Sequence, residues 1–354
     1  MRHLLLAVPL AALVVVCPAA ASAQEPMFRL NLGKEWLEGT PLATNTSEVV
    51  LLLRDGQWRD FSPAQVKEFK EIGGFRSFGA AEMRGQLMRE FGKGYNVSGA
   101  GHYLVVHPAG QRDRWAPRFE ELYRSFQHYF TARGWRPKEP RFPLVAVVYP
   151  RQVDFLEQAA KEGVNGSGML GYYSPKTNRI LLYDSSHESG DWTINAETVI
   201  HEATHQTAFN TGIHSRYGQA PRWVVEGLGT MFEARGVWNS RKYTKLSDRI
   251  NHGRLQQYKK MMEHRRWSGI AEMVSSDRPF QSNVDHAYPE AWALTFFLCE
   301  TEPKKFFQYV AKTAEIEPFA PYPAPQRLKD FTDVFGTDLK LLDARMQRFY
   351  KDLK

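Results

Sequence analysis

Cysteine is almost missing from this chain. Two of its 354 residues are cysteine, Cys17 and Cys299, and the first falls in a leader that the mature protein is expected to lose. An intramolecular disulfide is thereby excluded even for an oxidising destination, and stability has to come from a packed core. The composition allows one, since 43% of residues are apolar and 13% aromatic, ample for one large or two unequal domains. No internal repeat is apparent, which argues against solenoids and propellers. A recognisable nucleic-acid module is also lacking, so the formal charge of +7 does not imply that partner.

The apolar run over residues 4–16 follows Arg2 and His3. It precedes Ala21-Ser22-Ala23, the small-x-small pattern after which a signal peptidase cuts. The run is too short for a membrane span, and Val16 precedes Cys17 where a lipoprotein signal needs a small residue. Residues 1–23 therefore read as a signal peptide, with the mature chain starting at Gln24 and a periplasmic or secreted destination. The positive surplus is concentrated in residues 241–266, where nine Lys or Arg stand against Asp248 and Glu263. Leu246, Ile250, Leu255, Tyr258, Met261 and Met262 recur there at near-helical spacing, which predicts a helix with a solvated basic face. Peripheral contact with anionic envelope polymers is the functional alternative for the same face.

Chemistry concentrates in residues 197–233, ETVIHEATHQTAFNTGIHSRYGQAPRWVVEGLGTMFE. His201 and His205 are four apart, so on a helix both imidazoles point from one face toward a common ion. Glu202, one residue on from His201, is rotated by roughly 100°, beside the ion and suited to act as a base on a nearby water. A catalytic zinc takes three protein ligands and keeps a fourth position open. Glu226 is the third candidate: it lies in PRWVVEGLGTMFE, where the apolar spacing continues helically after Pro221. The metzincin pattern is excluded, because its third His would be Thr211 and its Gly would be Ala208. A structurally satisfied His cluster is the plain alternative. With Val199, Ile200, Ala203 and Ala208 around them, however, two unpaired His and a Glu would be costly in a buried helix without an ion.

These residues resemble the gluzincin peptidases, in which HExxH is followed on a second helix by a Glu ligand. His205-Gln206 with Asn210, and Trp223-Val224-Val225-Glu226-Gly227-Leu228-Gly229 with Glu233, look like the HExxHQ and W-x-x-EG-x-A segments of the aminopeptidase branch. The wider chain is similar to an uncharacterised bacterial exported domain family with the same HEATH core. The chain departs from the thermolysin-like pattern at Thr230, where an Asp is usual, so support of a ligand His is sought from Glu233 or Asn195. The resemblance further implies an edge strand, here residues 170–173 (Leu170, Gly171, Tyr172, Tyr173), that pairs antiparallel with a bound peptide. An ordinary hairpin whose tyrosines only pack is the equal alternative. It also implies a Tyr or His that hydrogen-bonds the developing oxyanion. Tyr288 is placed for that role, with His286 as its competitor and a phenol that merely caps the helix as the third reading.

The remaining pattern is coarse. Residues 49–54 and 57–61 flank Asp55-Gly56, a two-residue hairpin signal, within a small β-rich subdomain over 24–74 that ends at a Gly73-Gly74 linker. Residues 75–354 form the expected catalytic domain. In it, helices are predicted over 80–91 and from Trp115 to Phe130, then a strand over 144–149 and a helix over 152–162. Strands over 169–174 and 179–184 come next, followed by the zinc helix. Later helices run from about His286 to Cys299, over 303–312 and over 337–353, with a Pro-rich loop at 318–325. The expectation is an α+β, zincin-like (thermolysin/gluzincin) domain with a mixed sheet, and an exported peptidase holding one Zn2+ per chain. Peptide, protein or cell-wall peptide is the expected substrate. The alternative is a non-catalytic envelope-binding protein on the same scaffold; oligomeric state is not legible.

Overall fold

The computed structural model describes residues 25–111, 114–186, 193–264 and 267–353; the leader, Arg265 and Arg266 lie outside them. Two compact units divide at Met83/Arg84, nine residues beyond the expected linker. The reason is visible in the pairing. Gly73 and Gly74 are not a linker but the end of a strand, opposite Met27 and Pro26.

In the first unit β1 (Pro26–Asn31), β2 (Trp36–Thr44), β3 (Val49–Leu53), β4 (Trp58–Phe61) and β5 (Glu68–Gly74) form an antiparallel sheet in the order β4-β3-β2-β1-β5. Phe28, Leu30, Leu37, Val49, Leu51 and Phe61 make its core. The β3–β4 turn is one residue longer than expected. Leu53 N–H donates to Gln57 O, and Gly56 N–H to Leu53 O, at 2.8 and 3.0 Å. Gly56 therefore sits in the left-handed region at φ 89°, which makes a three-residue loop with a bulge.

The second unit holds a mixed sheet. Helix α1 (Ala80–Phe91) leads to β6 (Tyr95–Ala100) and β7 (Tyr103–Pro108), then α2 (Trp115–Thr131), β8 (Leu144–Tyr149), α3 (Gln152–Lys161), β9 (Gly171–Ser174) and β10 (Arg179–Tyr183). The order is β6-β7-β8-β10-β9, with β7–β8 and β8–β10 parallel and both ends antiparallel. Central β8, LVAVVY, is buried throughout, as a parallel strand covered on both faces should be. The aromatics of α2 turn inward: Phe126 and Phe130 lie 5.1 and 6.4 Å from the ring of Phe232.

Helices then take over. They are α4 (Thr193–Asn210), α5 (Arg222–Phe232), α6 (Arg235–Trp238), α7 (His252–Glu263), α8 (Ile270–Ser275), α9 (Pro279–Ser282), α10 (Val284–Thr301), α11 (Pro303–Ala314), α12 (Ala324–Phe335) and α13 (Leu339–Asp352). The α4 helix packs against β9 and β10, α5 lies against both α4 and α10, and α7 packs on α10. Two expectations change. The helix read across the basic segment begins only at His252, because the Asn251 side chain caps it by accepting from Arg254 N–H; Leu246 is 42% exposed. Helix α12 starts inside the expected Pro-rich loop, since Pro325 falls in a first turn, where no N–H is needed. The basic face is partly committed: Arg249 forks onto Glu300 at 3.1 and 2.7 Å, and Lys259 Nζ donates to Leu353 O.

Buried Glu290 on α10 gives this packing a pH dependence. Both its oxygens accept from the Ser268 amide, at 2.8 and 3.0 Å. Burial pushes its carboxyl up to about 7; the Ser268 hydrogen bonds oppose the rise, while Glu272 and Asp343 add to it. In the unfolded chain a Glu titrates near ~4.3. Between those values the folded state binds the extra proton, so stability is fully present below the unfolded pKa and declines as pH rises toward about 7. Glu290→Gln should thus be nearly neutral at pH 5 and stabilising at pH 8, on the order of 1–3 kcal/mol. Urea unfolding of both proteins at the two pH values checks this, and equal effects at both would contradict it.

Candidate metal centre

The α4 helix carries Glu197, His201 and His205 at successive turns of one face, with Thr198 and Glu202 beside them. After a connection in which Ile213 and His214 are buried, α5 begins behind Pro221 and brings Glu226 against that face. The two Nε2 atoms of His201 and His205 lie 3.0 Å apart, and Glu226 Oε2 stands 3.5 Å from each. Ligands about 2.0–2.1 Å from a tetrahedral zinc are separated by roughly 3.3–3.4 Å, so this triangle has the size of one face of such a site. Its donor chemistry also fits. Glu226 Oε2 is buried without a hydrogen-bond partner, an orphan that a cation would satisfy.

Gly229 makes the approach of the two helices feasible. A methyl group there would lie 2.9 Å from Cε1 of His201, 2.9 Å from Cε1 of His205 and 3.2 Å from His205 Nε2. Electrostatics run in the same direction. Burial opposes a charge on His201, yet Glu226 and Glu233 outweigh it and hold the ring's pKa well above the ordinary value. Burial likewise opposes ionisation of Glu226, and the imidazoles of His201 and His205 beside it outweigh that, holding its pKa well below the ordinary value. The pocket therefore stabilises positive charge at the common point of the three side chains, where a divalent ion would replace the proton.

A second layer fixes the ring of His201. Glu233, at the C-terminal end of α5, places Oε1 2.9 Å from His201 Nδ1, which assigns the proton to Nδ1 and turns the Nε2 lone pair toward Glu226. Asn251 Nδ2 donates to Glu233 Oε2 at 2.7 Å and to Thr230 O at 3.1 Å, so the cap of α7 also anchors the carboxylate. Of the two supports expected from sequence, Glu233 meets His201. Asn195 instead donates to Asp184 Oδ1 and accepts from Ser185, at 2.7 and 2.6 Å, bracing the loop after β10. Thr230 Oγ1 bonds back to Glu226 O within its own helix.

Glu202 stands beside the triangle and is 9% exposed. Its Oε2 accepts the backbone N–H of Tyr173 at 2.8 Å, which ties the carboxylate to edge strand β9. Gly171 of that strand and Leu170 just before it line the cleft. The tyrosine side chains do not. Tyr172 packs on Phe155 at 5.8 Å, while Tyr173 stacks on Phe209 at 5.6 Å and donates to Asn178 at 2.8 Å. The room left by Gly171 is taken by the protein itself, since a methyl would meet Leu181 O and Leu182 Cβ at 2.9 Å.

Tyr288 of α10 lines the same cleft, whose volume is about 810 Å³. Its ring packs edge-on against Phe280 at 5.6 Å. Burial and the neighbouring Glu226 carboxylate push its phenol up, so it stays a hydrogen-bond donor. His286 is engaged outside the cleft, with Nδ1 2.9 Å from Asn283 Nδ2. Sequence reading missed three participants. Arg222 pairs with Glu226 Oε1 at 3.5 Å, Asn251 is the anchor just described, and Arg254 reaches the Tyr288 ring at 5.4 Å. An i,i+4 spacing was the available signal for Arg222, and an Asn before a helical run was the signal for Asn251.

Residues 195–320, which include all three triangle residues and Tyr288, match a family described as "Protein of unknown function (DUF1570)". No curated protein matches the chain. Among solved structures, the chain is similar to a mutant M1 zinc metallopeptidase from Deinococcus radiodurans at 12% identity and TM-score 0.40, covering 72% of this chain and 50% of that one. The same mutant bound to a Tyr-Ser-Ala substrate gives 11% and 0.39, with 72% and 51% covered. A two-domain M1 zinc metallopeptidase mutant bound to L-arginine gives 10% and 0.38, with 72% and 51% covered. The chain thus spans about half the length of these structures.

Two outcomes are expected from metal titration with elemental mass spectrometry after dialysis. Glu226→Ala and Gly229→Ala should each retain far less zinc than the parent, the first by losing a donor and the second by pushing the imidazoles apart. Asn251→Ala should bind zinc roughly 10–100-fold more weakly, because Glu233 loses its anchor. Undiminished zinc in Glu226→Ala would remove that residue from the ligand set.

Proposed function

We propose that this chain is an exported, zinc-dependent peptidase of gluzincin type that hydrolyses amide bonds in peptides or proteins, cell-wall peptides included. The observation that carries the reading is the donor triangle of 3.0, 3.5 and 3.5 Å with an anchored carboxylate beside it in an open cleft. Export rests on residues 1–23 alone. Zinc, when bound, would polarise the scissile carbonyl and acidify a water. His201, His205 and Glu226 would hold it, and Glu233 would keep His201 in the ligating tautomer.

The rest of the chemistry belongs to side chains of this chain. Glu202 keeps one oxygen on Tyr173 N–H, so the other is free to take a proton from the attacking water and hand it to the leaving amine. The Tyr288 hydroxyl, beside Glu226 at the cleft wall, donates to the oxyanion as it develops. Arg222 draws the second oxygen of Glu226 away from the triangle, which leaves Oε2 as the single ligating atom.

Glu202→Gln should bind zinc like the parent and lose turnover by roughly 10²–10⁴-fold. A mixed peptide library analysed by mass spectrometry, with and without chelator, reads the outcome. Cleavage at the parent rate in this variant would remove Glu202 as the base, and chelator-insensitive cleavage would remove the metal from the reaction.

A further inference from the structure

The geometry points to Arg254 as a specificity-determining residue that selects substrates with a carboxylate near the reacting bond; this rests on the peptidase reading above. Arg254 lies in the first turn of α7 and lines the cleft with Tyr288, its guanidinium carbon 5.4 Å from the tyrosine ring centre. Tyr288 interacts in turn with Glu226, and Arg254, Tyr288 and His201 line one cleft. Among the described residues it makes no ion pair, and its side-chain hydrogen bond goes to the Gln257 carboxamide at 3.1 Å. Two nearby arginines are neutralised, Arg249 by Glu300 at 2.7 Å and Arg222 by Glu226 at 3.5 Å, whereas Arg235, exposed on α6, lines the same cleft and makes no ion pair among the described residues.

The acids of the cleft leave Arg254 available. Glu202 is held by Tyr173 N–H and Glu233 by His201 and Asn251, while Asp248 accepts from Lys245 N–H at 3.1 Å. Glu197 alone is uncommitted among the described cleft carboxylates, and it sits on α4, one turn before His201. The cleft is therefore bipolar, with an acid on the α4 wall and cations opposite it, Arg254 on α7 beside Tyr288 and Arg235 on α6. A guanidinium beside a ring keeps N–H groups in its plane beyond the one given to Gln257, and such a planar fork grips a carboxylate in bidentate fashion. Peptides offer that group either at the C-terminus or on Asp and Glu side chains.

Two peptide pairs separate these sources: one pair ends in a free acid or a carboxamide, and the other differs by Glu against Gln beside the cleaved bond. With the zinc-loaded full chain, kcat/KM should favour the carboxylate member of at least one pair by roughly tenfold or more, and the pair that responds names the source. Arg254→Met should bring that ratio toward one. Arg254→Lys should keep part of it, and Lys260→Met, on the exposed face of α7, should keep it whole. Calorimetric binding of the same peptides to Glu202→Gln, with and without Arg254→Met, is the second readout. A ratio near one in both readouts, or a ratio that survives Arg254→Met while both members fall alike, overturns the inference and leaves Arg254 as packing for Tyr288. Carboxylate-selective binding without cleavage of any peptide by the parent would sustain the inference and sink the peptidase reading instead.

Discussion

The constraint on which this structure depends is a buried carboxylate facing two imidazoles across the seam of two helices. Glu226 Oε2 has no hydrogen-bond partner and lies in a wall of apolar neighbours: Trp223, Val224 and Leu228 of its own helix are all buried. Removing such a group from water costs several kcal/mol unless opposite charge meets it. The seam can close only because α5 presents glycine where the rings pass, and α5 is held in that position by α10 behind it. Sheet, seam and backing helix are thus one arrangement, with the charged point as its least tolerant member.

Outward from that point a second set of groups supports the site. Glu233 ends α5 and Asn251 starts α7, so the junction between two helices coincides with the hydrogen-bond path to His201. Using a helix cap as an anchor gives one side chain two duties, which fixes the direction of α7 relative to the centre. It also brings Arg254 to the cleft, because a residue three positions past the cap returns to the same side of the first turn.

The centre was legible in sequence for a local reason. His201 and His205 share one helical face with Glu202 beside it, and these positions follow from spacing alone. Glu226 could be found because it too lies in a periodic run. By contrast, Asn251 reaches Glu233 across an irregular stretch that carries no period, and the bond from Tyr173 to Glu202 uses a backbone donor that every non-proline residue has. Tyr172 and Tyr173 were ambiguous because alternation assigns neighbours to opposite faces without saying whether both faces are covered; here Phe155 covers one and Phe209 the other. Helix α12 was hidden by its prolines, and the start of α7 by apolar residues that merely continued its rhythm upstream.

The bond between Tyr173 N–H and Glu202 also bears on how the edge of the sheet is closed. An edge strand leaves a row of unpaired amides to solvent, a template onto which another chain can add and propagate into a fibril. In β9 one rung of that template is occupied from within by the very carboxylate proposed as the base. Exchange of Glu202 for a residue that cannot accept a hydrogen bond would therefore do more than silence chemistry. It would leave a buried strand amide without an acceptor, so a variant made to be inert also loses a hold on the edge of the sheet.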